Sequence, residues 1–106
     1  MRRGRHALAL ESFEHIISLD PRHPGAWHGI GLAQRDLGNA EESLTALLNA
    51  VQYEPMAINQ RIDAAAALLE TDPKLALELV QAGAAMHPND VRLSKAVKVV
   101  QARLGQ

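Results

Sequence analysis

The chain has 106 residues, with 11 Lys or Arg against 12 Asp or Glu and a formal charge of −1. That size suits one domain or an array of about three repeats, and the near-neutral balance argues against a basic nucleic-acid binder. Only Phe13, Trp27 and Tyr53 are aromatic, too few for a protein that stacks the bases of a single strand.

Cysteine is absent, so neither a disulfide framework nor a thiolate metal site is available. No apolar run approaches the ~20 residues that span a bilayer. The basic start, Met1 to Arg5, leads into no apolar signal-peptide core, which makes the cytoplasm the expected location. Excision from a longer polypeptide stays open.

In chain order, the first expected helix covers residues 5–19, with Leu8, Leu10, Phe13, Ile16, Ile17 and Leu19 at helical spacings. Asp20-Pro21-Arg22-His23-Pro24 breaks it, and Pro24 suits the first turn of the next. That second helix, 24–37, is built on Trp27, Ile30 and Leu37 and stops at Gly38, the residue type favoured in a left-handed C-cap. Asn39 and Glu42 have the spacing of a capping box for a third helix ending near Glu54.

A fourth helix, about 56–70, carries the strong helix formers Ala64 to Ala67. Asp72-Pro73 caps and opens the fifth, which continues to Met86. After His87-Pro88-Asn89-Asp90, a sixth helix at 91–104 lines up Leu93, Val97, Val100 and Leu104. No alternating pattern signals a strand.

One signature recurs three times: a small residue, an apolar residue four places on, and a proline eight places later. It reads Ala9, Phe13, Pro21; then Ser43, Leu47, Pro55; then Ala76, Val80, Pro88. Its prolines stand 34 and 33 residues apart, a period typical of stacked supersecondary units. The middle unit reads Trp27-x2-Ile30-Gly31-x2-Gln34, then Gly38, Ser43-x3-Leu47, Ala50 and Pro55. This resembles the tetratricopeptide repeat, whose pattern is W-x2-L-G-x2-Y, then A-x3-F, then P. Gly4, Ala9, Phe13 and Pro21 resemble the second half of such a unit. The third unit diverges, with Arg61 at the tryptophan position and Ala64-Ala65 in place of Leu-Gly.

The resemblance implies an all-α, right-handed superhelix of about six helices in one domain, 1–106. Its parts would be the second helix of a truncated repeat (5–21), a full repeat (24–55), a divergent full repeat (56–88) and a capping helix (91–104). Close helix approach is expected where small residues meet, at Gly31 with Ser43 and at Ala65 with Ala76, with Ala50 and Gly83 as further small contacts. Trp27, Leu47 and Val80 are expected to fill the space between layers. Lys98 would be tolerated where no helix follows. Ala9, Phe13 and Ile16 form the face that a preceding helix would normally meet, so an upstream helix or a second copy in a homodimer is expected to cover it.

No catalytic constellation stands out. His6, His15, His23, His28 and His87 fall at no metal-ligand spacing, and His23 and His87 precede prolines at equivalent turns. Ser12, Ser18, Ser43 and Ser94 have no nucleophile-elbow context. Gly25, Gly29 and Gly31 lack the strand and the Lys-Ser/Thr of a phosphate loop. The sequence therefore points to a non-enzyme with no cofactor and no metal.

By position, the resemblance places a partner-binding concave face on His28, Leu32 and Arg35, then Asn59, Ile62, Ala66 and Leu69, then Arg92, Lys95 and Val99. Family members that clamp a peptide carboxylate use a lysine with an asparagine four residues on. His28 and Leu32 stand there in this chain, so that clamp is not expected. The implied role is a scaffold or adaptor that binds a protein or peptide, with neither nucleic acid nor membrane as partner. A docking segment of a larger enzyme, such as a transferase, and a secretion chaperone are the alternatives.

Overall fold

A computed structural model of the protein describes residues 2–105. They form six α-helices, with no strand among the described residues: α1 (Arg2–Leu19), α2 (Pro24–Asp36), α3 (Ala40–Tyr53), α4 (Ile58–Leu68), α5 (Pro73–Met86) and α6 (Val91–Arg103). The protein is all-α. Met1 and Gln106, the end points of the expected domain, lie outside the described residues. The helices group into two compact units, Met1–Pro55 and Met56–Gln106, and the boundary falls at a repeat-closing proline.

In the first unit α2 packs against both α1 and α3. The α2–α3 contact is set by Gly31. A Cβ built there would stand 2.6 Å from Cγ and Cδ2 of Leu47, a separation that real side chains do not tolerate. Leu47 is itself 1% exposed and has no room to withdraw. Across the same contact the buried Ser43 hydroxyl donates to the Gly31 carbonyl at 2.6 Å. A small residue at position 43 thus does two jobs, admitting close approach and satisfying a polar group that packing has dried.

The α1–α2 contact repeats the device. A Cβ on Gly29 would overlap the Phe13 ring, so Phe13 sits directly on α2. Ala9, Phe13 and Ile16 are each half-buried. At least Phe13 of the expected self-association face is therefore spent inside the unit. Trp27, expected to fill space between layers, is half-buried. Its indole N–H donates to the Pro21 carbonyl at 2.7 Å and ties α2 to the preceding turn.

In the second unit α5 packs against both α4 and α6. Ala64, Ala76, Val80 and Leu93 are fully buried, and Ala65, Leu68 and Val100 are 3% exposed. Arg61, at the position Trp27 occupies one repeat earlier, is only 8% exposed. Its guanidinium donates to the Leu79 carbonyl at 2.9 Å, and burial pushes its pKa below the ordinary arginine value. A Cβ on Gly83 would lie 3.0 Å from both the Arg61 stem and Leu93, so the missing side chain makes room for the arginine.

Helix ends follow the turn chemistry with two exceptions, at the starts of α3 and α4. His23 Nδ1 accepts from the Ala26 N–H at 2.9 Å, and Asp72 accepts from the Leu75 N–H at 3.2 Å. Gly38 is left-handed at φ 86°, and the Gly38 and Asn39 N–H groups close back on the carbonyls of Arg35 and Gln34. That is the Schellman arrangement. It overturns the capping box expected at Asn39: the Asn39 side chain makes no cap bond to α3 and donates instead to Gln34 Oε1 at 2.7 Å. The residue is occupied in closing α2. Helix α4 is shorter than the expected 56–70, because Ala57 offers no side-chain cap and the turn after Leu68 closes through Asp72 N–H to Leu68 O.

Gly31→Leu should cost roughly 1–3 kcal/mol by overpacking against Leu47. Gly4→Ala, which meets nothing within 4 Å, should instead raise stability slightly by removing a helical glycine. Thermal melts of the two variants check the pair. Equal melting temperatures would refute the tight contact.

Candidate functional site

An apolar groove of about 210 Å³ lies in the second unit, between α4 and α6. Ile62, Ala65, Ala66 and Leu69 form one wall, and Ala96, Val99 and Val100 the other. Direct contact between α4 and α6 is slight, and α5 carries most of the packing of the unit. Val99, on the second wall, is 56% exposed.

Two polar bridges mark the ends of the groove. At the helix N-termini Arg92 Nη1 donates to Asn59 Oδ1 at 3.0 Å. Near the C-termini Arg103 Nη1 donates to Glu70 Oε2 at 2.8 Å. Each bridge joins residues 33 positions apart, the same step that separates Pro55 from Pro88. Along α6 the two bridges stand 11 positions apart, roughly 16 Å at 1.5 Å per residue.

Of the ten residues expected to bind a partner, Ile62, Ala66, Leu69 and Val99 line this groove. Asn59 and Arg92 form its N-terminal bridge, and Lys95 is exposed one turn before Val99. His28, Leu32 and Arg35 belong to α2 of the first unit, where Leu32 is half-buried and Arg35 Nε donates to Asp36 at 3.3 Å. Sequence reasoning missed Ala65, Ala96 and Val100, and also the Glu70–Arg103 bridge. The bridge was within reach: laying the sequence on itself with an offset of 33 pairs both polar couples.

Arg92 is heavily engaged. Its Nε and Nη2 donate to the two oxygens of Asp90 at 3.3 and 2.9 Å, and Asp90 also caps α6 by accepting from the N–H groups of Arg92 and Leu93. The Arg92 side-chain hydrogen bond, helped by the cap bonds, holds the Asp90 carboxyl below its ordinary pKa. A depressed carboxyl contributes stability that is present above its unfolded pKa and is lost as pH falls through the folded value. The cap is therefore an acid-sensitive lock on the start of α6.

A second cleft, of about 360 Å³, lies in the first unit beside Trp27, Ile30 and Ala46, with Glu41, Glu42 and Thr45 on its rim. Its two glutamates occupy the first turn of α3, where they complement the helix dipole. The paired turn histidines diverge in detail. His23 caps α2, whereas the His87 ring bonds the Met56 carbonyl at 2.8 Å, joining the two ends of a repeat-length segment. Among the described residues no group of three or more His, Asp or Glu could hold a metal ion. No described helix is long and apolar enough to cross a membrane.

Titration of the Asp90 carboxyl carbon by NMR should give a midpoint below the ordinary aspartate value of about 3.9. Arg92→Gln should move it upward, and an unchanged midpoint would assign the shift to the backbone donors alone. His23→Ala should cost about 1 kcal/mol of stability through loss of the α2 cap, as read by chemical denaturation.

Residues 24–55 match the family model of the tetratricopeptide repeat. No curated protein matches the chain. The matched segment begins at the Pro24 that opens α2 and ends at the boundary proline, and it contains the whole Gly31–Ser43–Leu47 contact. Over residues 24–55 the α2–α3 pair is therefore similar to a tetratricopeptide repeat.

Proposed function

We propose that this chain is a non-catalytic protein-interaction module, with residues 56–88 acting as a divergent second repeat and α6 as the helix that closes it. Tetratricopeptide repeats generally mediate protein–protein contacts, and the α4–α6 groove supplies the surface for one. Its occupant is an apolar segment of a partner protein, helical or extended, about three helical turns long. The observation that carries this reading is a groove walled by seven apolar side chains and bounded by polar bridges only at its ends.

Apolar side chains exposed in a concave setting have no structural task inside their own unit, and a partner that dries them gains the hydrophobic term of association. The polar ends limit the length of what fits. Arg92 offers little free charge to a partner because Asp90 and Asn59 already occupy it, so affinity rests on apolar burial and position on the bridges.

The test is a charge placed on the groove wall. Val99→Asp alters an exposed position, leaves the core intact and should lower partner capture by about tenfold or more, the equivalent of one lost apolar anchor. Circular dichroism should be unchanged. Undiminished capture by a folded Val99→Asp protein would place the binding surface elsewhere.

A further inference from the structure

Two surfaces left uncovered on different units match each other. On α1, Leu8 and Leu19 are 66% and 75% exposed. They share one side of the helix with the exposed Ser12 and His15, at successive steps of 4, 3 and 4 residues. Exposed Glu11 and Glu14 flank that stripe. Leu8 and Leu19 stand 11 residues apart, as do Asn59 and Glu70 on one wall of the groove and Arg92 and Arg103 on the other. Each span is roughly 16 Å of helix.

We propose that α1 of one copy of this chain docks in the α4–α6 groove of a second copy. Leu8 and Leu19 are the apolar anchors, and Glu11 and Glu14 face Lys95. The assignment rests on the groove reading above and names its occupant.

Charge selects this pairing over the other ways in which two copies could meet. Helix α6 carries Arg92, Lys95, Lys98 and Arg103 and no acidic residue. Asp90 and Glu70 pair with Arg92 and Arg103, so two grooves set face to face would bring Lys95 and Lys98 of each copy together, a costly arrangement in a drying interface. The exposed carboxylates of α1 supply the opposite sign. The cations of α1 are confined to residues 2–5, ahead of Leu8 and outside the docking stripe. Each contact joins the groove of one copy to α1 of another, so assembly closes as a reciprocal pair or a ring, or runs on as a chain.

Sedimentation of the full chain from dilute to concentrated solution tests this. The weight-average mass should rise above 11.5 kDa with concentration. Leu19→Glu, at an exposed helix end, should weaken association by about tenfold or more without changing circular dichroism. Lys95→Glu and the double variant Glu11→Lys/Glu14→Lys should each weaken it, and an equimolar mixture of the two should restore it.

A monomer at every concentration, a closed dimer indifferent to these variants, or a mixture that fails to recover would each overturn the proposal. Binding of the apolar dye 1-anilinonaphthalene-8-sulfonate separates the two levels. If the chain is monomeric and Val99→Asp removes the dye signal, self-docking fails while the groove reading stands. If no dye signal depends on Val99, both fail.

Discussion

The missing side chain at Gly31 is the constraint from which the first unit follows. It lets α3 approach until Leu47 fills the space a Cβ would take and the Ser43 hydroxyl reaches the Gly31 carbonyl at 2.6 Å. Helices this close leave no slack for alternative registers, because both partners of the contact are buried and neither can rotate away. Gly29 under Phe13 and Gly83 beside Arg61 and Leu93 apply the same principle at other crossings. Each close approach consumes a small residue on one helix and commits a large one on a neighbouring helix.

That economy explains where the binding surface comes from. In the second unit α5 takes the tight contacts, with Ala76, Val80 and Gly83 turned inward. Helices α4 and α6 then meet only lightly and keep an apolar remainder, Ile62 and Leu69 against Val99, that no third helix of the unit covers. The same packing that stabilises the unit thus leaves a defined length of apolar wall, closed at each end by a hydrogen-bonded pair.

Much of this was legible in the sequence, because its signals are short-range. Prolines 21, 24, 55, 73 and 88 and Gly38 mark helix ends by removing a donor or permitting a positive φ, and the six helices fall between them. The Gly31–Ser43 pairing was readable as small residues at a fixed offset. Less accessible were outcomes decided by competition for one group. Asn39 has the right spacing to cap α3, yet its amide serves Gln34 because closing α2 claims the residue first. Trp27 has the size of a core residue, but its N–H needs an acceptor and finds one at the Pro21 carbonyl, near the surface. Ile62, Ala66, Leu69 and Val99 could be named from their repeat positions, whereas Ala65, Ala96 and Val100 depend on how far α4 and α6 stand apart, a distance set by α5.

The proposed role depends most on the α4–α6 wall being open apolar surface while its neighbours are sealed. A soluble paramagnetic probe added to the dilute protein, read on side-chain methyl signals, measures this directly. Val99 methyls should be strongly attenuated and those of Ile62 and Leu69 partly so, with Leu93 and Val80 spared, in keeping with exposures of 56% at Val99 and 0% at Leu93 and Val80. Val99 methyls as well shielded as those of Leu93 would mean that no groove is open, and the assigned role would fall with it.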